Sequence, residues 1–161
     1  MLRTYFFLFI LTCIANITVA QPTEQQIQTV LKANVIDSLY IFDHTLKQQG
    51  YTDYNIVKLK YLGGVNTTKG DTFKLISSIW IWGLSQRGTT RILVYNDKNQ
   101  YVGNYYMSLV SNAPIKLENG MLLFVNDKGR SGSNEKTVRV NLKHGLPNSF
   151  YLNGDFHSFE Q

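Results

Sequence analysis

Apolar residues follow three successive patterns along this chain of 161 residues. The first is an almost unbroken apolar run, Tyr5–Ile14, which follows Arg3 and precedes small residues that end at Ala20. A basic start, an apolar core and a small-residue cleavage site are typical of a secretory signal peptide. The run is shorter than the roughly 20 residues that a membrane-spanning helix needs. We therefore predict a signal peptide over 1–20 that is cleaved after Ala20, no stable membrane insertion, and a single mature domain over 21–161.

The second pattern is a helical stripe at the start of the mature chain. Thr23 and Gln26 have the spacing of a capping box, and Gly50 stands where a left-handed residue would end a helix. Apolar residues recur between them at steps of three and four, at Ile27, Leu31, Val35, Leu39, Phe42 and Leu46. The pattern predicts one long helix over 23–49. A break near Asn34–Asp37 is the alternative, because two isoleucines fall outside the stripe.

The third pattern begins at Tyr54, where the apolar period shortens towards two and indicates β-strands. Turn-forming residues separate the apolar segments, and Asn119-Gly120 is a strong hairpin signal. The predicted strands are 56–62, 72–82, 89–95, 101–109, 115–117, 121–125, 136–142 and 150–152. The sequence therefore predicts an α+β fold, in which one long N-terminal helix packs on a curled antiparallel sheet, a meander of seven to eight strands.

Composition and charge are consistent with one exported globular domain. The single cysteine, Cys13, lies in the first apolar run, so the mature domain would have no disulfide. Loss of Arg3 with the signal peptide leaves 15 basic and 11 acidic residues, a formal net charge of +4. No run of lysine or arginine is dense enough to indicate a nucleic-acid partner, and export argues against one. The predicted location is the periplasm or the extracellular space.

Candidate catalytic groups are few. Among the three histidines, His44, His144 and His157, only the last has a carboxylate at a useful spacing, because Asp155 would share its face on an extended tail. The segment Gly83–Arg87 lacks the second glycine of a nucleophile elbow. No two histidines have metal-ligand spacing, and no cysteine remains to assist them. We therefore assign no catalytic residue, no metal site and no cofactor from the sequence.

A binding surface has more support. Trp80 and Trp82 would share one face of the strand 72–82, and the opposite face is also apolar, which predicts a central strand. Tyr101 and Tyr105 alternate on a later strand, and Arg91 lies on the predicted strand between. The candidate binding residues are therefore Trp80, Trp82, Arg91, Tyr101 and Tyr105. Such an aromatic platform would suit a sugar ring or a protein partner. Tryptophans on a central strand more often belong to the core, which is the competing interpretation.

One polar segment, 126–136, joins two predicted strands and contributes two further candidate binding residues. Lys128 and Arg130 would supply positive charge to an acidic partner, because rigid scaffolds often present contacts on loops of this kind. The alternative is an ordinary mobile loop.

These observations predict an exported, non-catalytic binding or interaction protein, such as an inhibitor, an immunity-type protein or an envelope accessory protein. Its partner would be a protein or a glycan, and the oligomeric state is left open. The alternative is a small envelope hydrolase that acts on glycan, peptidoglycan or ester substrates, with either Asp155 and His157 as the candidate pair or a pair of carboxylates that the sequence does not single out.

Overall fold

The computed structural model describes residues 21–127 and 135–161, and strands account for 56% of this part of the chain while helices account for 10%. The prediction of an α+β fold with one long helix was therefore wrong, and the protein is mostly β. The predicted signal peptide and the loop residues Lys128 and Arg130 lie outside the described residues. Within the described ranges, no helix is long and apolar enough to span a bilayer.

Within these described residues the backbone forms one α-helix, one short 3₁₀ helix and eleven strands. In chain order these elements are α1 (Glu24–Ala33), β1 (Leu39–Asp43), β2 (Leu46–Gln48), β3 (Tyr51–Asn66), β4 (Thr72–Gly83), β5 (Arg87–Asn96), β6 (Tyr101–Tyr106), the 3₁₀ helix (Val110–Asn112), β7 (Lys116–Glu118), β8 (Met121–Val125), β9 (Thr137–Asn141), β10 (Ser149–Leu152) and β11 (Asp155–Glu160).

The helix begins as predicted and ends much earlier. The Thr23 hydroxyl accepts a hydrogen bond from the Gln26 backbone N–H at 3.2 Å, and the Gln26 side chain accepts one from the Thr23 N–H at 3.0 Å. This is the expected capping box. The helix stops after Ala33 because Asn34 adopts a left-handed conformation (φ 52°, ψ 34°), and its N–H donates to the Val30 carbonyl. Asparagine tolerates this region better than most residues.

The second half of the predicted helix, 34–49, forms strands instead. Tyr40 lies opposite Leu59 and Phe42 opposite Val57 in the antiparallel pairing of β1 with β3. The two aromatic side chains pack towards the core, whereas three residues that the helical stripe would have buried are more than half exposed: Val35, Leu39 and Leu46. Side chains along β1 alternate with a period of two. The apolar residues of this segment also recur at steps of three and four, so their spacing resembled that of a helical stripe.

The strands form two antiparallel sheets rather than one meander. The larger sheet has eight strands in the order β1-β3-β4-β5-β6-β11-β10, with β2 also paired to β3, and the smaller sheet has the order β7-β8-β9. The prediction of antiparallel strands is confirmed. The single meander is contradicted, because β11 returns to pair with β6 while β7 to β9 leave the main sheet.

Each face of the larger sheet has its own cover and its own apolar core. On one face α1 packs against β3, β4 and β5, and this core contains Ile27, Val30, Leu31, Val57, Leu59, Tyr61, Ile76, Leu93 and Tyr95. On the other face the smaller sheet and β10 cover the strands, and this core includes Leu62, Val65, Leu75, Ile92, Val94, Tyr105, Met107, Leu122, Phe124, Val140, Leu142, Phe150 and Leu152. The larger sheet is therefore the central layer.

Substitution of Asn34 tests where the helix ends. Asn34→Ala is expected to lower the free energy of unfolding by about 1 kcal/mol, because alanine is strained in the left-handed region. Asn34→Gly is the matched control and should stay close to the wild type. A helix that continued through residue 34 would reverse this order, since alanine is the better helix former by about 1 kcal/mol. Urea denaturation of both variants distinguishes the two cases.

A second pair of variants tests the core between the two sheets. Phe124 is fully buried on β8 and its neighbour Val125 is 56% exposed. Phe124→Ala should lower the free energy of unfolding by about 3–5 kcal/mol, because it leaves a large cavity, whereas Val125→Ala should change it by less than about 0.5 kcal/mol. Similar losses in the two variants, measured by urea denaturation, would contradict this core.

Candidate binding cavity

A cavity of about 450 Å³ opens on the helix-covered face of the larger sheet, between the start of α1 and the strands β4, β5 and β6. Its volume is in the range of small-molecule binding sites, roughly 300–1,000 Å³. The lining combines aromatic rings with a few polar groups, namely Gln21, Pro22, Glu24, Ile27, Ser78, Trp80, Trp82, Thr89, Arg91, Leu93, Tyr95, Tyr101 and Tyr106.

The cavity exists because the helix is shorter than the strand beneath it. A helix of 10 residues is about 15 Å long, while a strand of 12 residues, such as β4, spans about 40 Å. The helix core includes Ile76, but along the same face of β4 the cavity lining begins at Ser78 and continues with Trp80 and Trp82. The helix therefore lies on the tryptophan face, which the sequence had left undecided, and it leaves that face open towards the end of β4.

The two tryptophans form one wall of the cavity. Their rings stack with a centroid distance of 4.2 Å and an angle of 22° between the planes. The Trp80 indole N–H donates to the side-chain oxygen of Asn55 at 3.2 Å, which fixes its orientation from the neighbouring strand. Both side chains are partly buried. They are neither enclosed in the core nor fully exposed to solvent.

Arg91 contributes a positive charge to the aromatic lining of the cavity. Its guanidinium carbon lies 5.5 Å from the centre of the Tyr106 ring, a cation–π arrangement. Its Nη1 donates to the side-chain carbonyl of Gln21 at 3.2 Å. No carboxylate in the described ranges forms an ion pair with it. The other charged residue of the lining, Glu24, accepts a hydrogen bond from Gln28 at 2.7 Å.

A β-bulge decides which tyrosines reach the cavity. The register of β5 and β6 shifts so that Tyr101 lies opposite Tyr95, and their rings meet edge to face at 5.6 Å. The side-chain amide of Asn104 donates to the Tyr101 hydroxyl at 2.9 Å. Tyr105 lies on the opposite face, fully buried, and its hydroxyl donates to the Pro147 carbonyl. The bulge therefore separates two residues that strict alternation had placed on one face.

The structure brings Trp80, Trp82, Arg91 and Tyr101 to one cavity and does not bring Tyr105 there. Tyr106 takes its place, because it lies opposite Arg91 on the paired strand. The sequence contained a signal for this register shift, because a glycine inside a strand often marks a β-bulge. That glycine is residue 103, next to the register shift.

Sequence reasoning also missed the buried floor of the cavity and the segment that precedes α1. Burial is the main cause that raises the pKa of Tyr95, and the nearby charge of Glu24 adds to it. A phenol is already neutral at physiological pH, and burial moves the pKa of Tyr95 further above that range. Gln21 and Pro22 form part of the rim, although they lie about 70 residues away from the strands in sequence.

The candidate catalytic pair is not assembled. His157 is buried on β11 and its Nδ1 donates to the Tyr106 carbonyl at 3.0 Å, while Asp155 is exposed at the start of the same strand. No hydrogen bond or ion pair joins these two described residues. His44 lies near Gln26 and His144 near Thr68, both exposed. In residues 21–127 and 135–161, no group of three or more potential metal ligands comes together.

No protein-family model matches the chain, and neither a curated protein nor a solved structure shows significant similarity to it.

Substitution of Gly103 tests the bulge that delivers Tyr101. A Cβ atom at this position would clash with the Glu160 carbonyl oxygen and lie 2.5 Å from the Phe159 ring, both on β11. Gly103→Ala should therefore lower the free energy of unfolding by about 2 kcal/mol through overpacking. Gly64→Ala is the control, because its Cβ would meet only the Phe73 carbonyl at an ordinary 3.6 Å. Thermal or urea denaturation that gives equal stabilities would contradict the observed register.

Proposed function

We propose that this protein is an exported, non-catalytic binding protein and that the aromatic cavity is its binding site. The observation that carries the proposal is the convergence of the stacked pair Trp80 and Trp82, Arg91 and three tyrosines around about 450 Å³ of space. Tryptophan, tyrosine and arginine dominate the energetics of binding surfaces. Export remains the proposal made from the N-terminal apolar run.

The walls of the cavity are suited to binding because strands hold them in place. Trp80 and Trp82 project from β4, Arg91 from β5 and Tyr101 from β6, three adjacent strands of the larger sheet. Side chains on paired strands lose little conformational freedom when a ligand enters, so less of the interaction energy is spent on ordering them. Burial of apolar ligand surface against the rings contributes about 25 cal/mol per Å².

The concave shape favours a ring-sized group over a flat protein surface. Of the two partner classes considered from the sequence, a glycan presents such groups directly, while a protein partner would have to insert a side chain. The rings of Trp80, Trp82 and Tyr106 offer apolar surface, and Thr89 and Glu24 offer hydrogen-bonding groups. This combination supports capture of a sugar ring. The envelope hydrolase has no comparable support, because Asp155 and His157 are not joined.

Intrinsic fluorescence tests the proposal, since both tryptophans of the chain line the cavity. We expect saturable emission changes with at least one member of a panel of neutral, amino and acidic mono- and disaccharides. Trp82→Ala, followed by calorimetry, should weaken that binding by about 10–100-fold, as for a hot-spot residue. Trp82 is preferred to Trp80, which also holds a hydrogen bond to Asn55.

The matched control is Tyr151→Ala, which removes a half-exposed aromatic residue on β10 outside the cavity. This variant should bind like the wild type, and circular dichroism should show that both variants keep the fold. Saturable binding that is unchanged in Trp82→Ala would place the site elsewhere. A panel without any saturable response from folded protein would contradict sugar capture by this cavity.

A further inference from the structure

We infer that the ligand of the aromatic cavity is an acidic sugar, whose single carboxylate is bound by Arg91. This inference rests on the proposed function and names the class of ligand for the same site. It begins with the electrostatics of the lining, which contains one cationic and one anionic side chain, Arg91 and Glu24.

Arg91 differs from the two lysines of the described chain that form ion pairs. Lys60 pairs with Asp37 at 2.8 Å, and Lys116 pairs with Glu118 at 2.7 Å. Arg91 is partly buried among aromatic rings, and within the described residues its side chain donates a hydrogen bond to the neutral amide of Gln21. Partial removal of a charge from water is unfavourable in proportion to its burial unless a counter-ion compensates it. A ligand carboxylate would supply the missing counter-charge.

The guanidinium is held in an orientation that suits a carboxylate. Its central carbon lies over the Tyr106 ring, and the hydrogen bond from Nη1 to Gln21 anchors one end of the group. A guanidinium has five N–H donors, of which Gln21 engages one. The remaining donors can form the paired, parallel hydrogen bonds that arginine makes with carboxylates. Lysine would offer only a point charge at this position.

The hydroxyl and carboxylate groups of the lining favour a sugar acid over an aromatic acid. Ser78, Thr89 and Glu24 contribute polar atoms that a polyhydroxylated ring can satisfy. An aromatic acid would cover the same groups without pairing them, and buried unpaired polar groups strongly disfavour such a ligand. The tryptophan wall can accept the apolar C–H face of a sugar as readily as an aromatic ring.

Glu24 sets an upper limit on the charge of the ligand. Its carboxylate lies on the same cavity as Arg91 and is bonded to a neutral side chain, Gln28. It can accept a hydrogen bond from a ring hydroxyl, but it repels a second acidic group on the ligand. The lining therefore complements a ligand that carries one carboxylate near Arg91 and hydroxyl groups near Glu24.

The test compares matched pairs of probes by calorimetry and tryptophan fluorescence at low ionic strength. The sugar pairs are glucuronate with glucose and galacturonate with galactose, and the aromatic acids are benzoate and indole-3-acetate. We expect a uronate to bind the mature protein at least 10-fold more tightly than its neutral partner. Arg91→Gln should abolish that preference, and Arg91→Lys should restore part of it. Arg139→Gln, an exposed substitution on β9, is the control for general surface charge and should keep the preference.

The outcomes separate the ligand class from the binding function. Equal binding of acidic and neutral sugars that still depends on Trp82 overturns the role of Arg91 while the binding function stands. Tight binding of the aromatic acids, dependent on Arg91 and without uronate binding, overturns the sugar class. Loss of the preference in Arg139→Gln as well assigns it to general charge and also overturns the inference. Failure of every sugar and acid to bind folded protein overturns both proposals.

Discussion

The apolar character of both faces of β4 is the constraint on which the remaining structure depends. A strand that is apolar on both sides must be covered on both sides, because water would otherwise meet its side chains. The smaller sheet and β10 cover one face, and α1 covers part of the other. Since α1 has only 10 residues, it covers this face incompletely: Trp80 packs against the helix-side core, and both Trp80 and Trp82 line the cavity. The cavity therefore follows from a mismatch in length between a helix and a strand.

That mismatch would leave only an exposed apolar patch if the neighbouring strands did not complete the walls. Arg91 on β5 and Tyr106 on β6 lie opposite each other in the sheet, which places a cation over a ring. The bulge near Gly103 turns Tyr101 to the same side. The segment before α1 closes the rim through Gln21. Apart from this rim and the α1 residues Glu24 and Ile27, the lining is built on hydrogen-bonded strands, which restrict the movement of its side chains.

Two differences between prediction and structure have a common cause in the periodicity of side chains. The stripe from Ile27 to Leu46 satisfied helical spacing, but only its first part is helical, because Asn34 is left-handed and β1 pairs with β3. Tyr101 and Tyr105 satisfied strand spacing, but one extra residue in the bulge reversed the face of one of them. A period indicates a face only while the backbone keeps one regular conformation.

Local information in the sequence was sufficient for the capping box of α1, for most strands after Tyr54 and for the apolar character of both faces of β4. These properties depend on residues that are close together in the chain. It also suggested Trp80, Trp82, Arg91 and Tyr101 as candidate binding residues, and these four line the cavity. Tertiary structure alone decided which strands share a sheet, which face the helix covers, and that Gln21 meets Arg91. Those outcomes depend on pairing and on relative length between distant segments, and no local pattern of side chains specifies them.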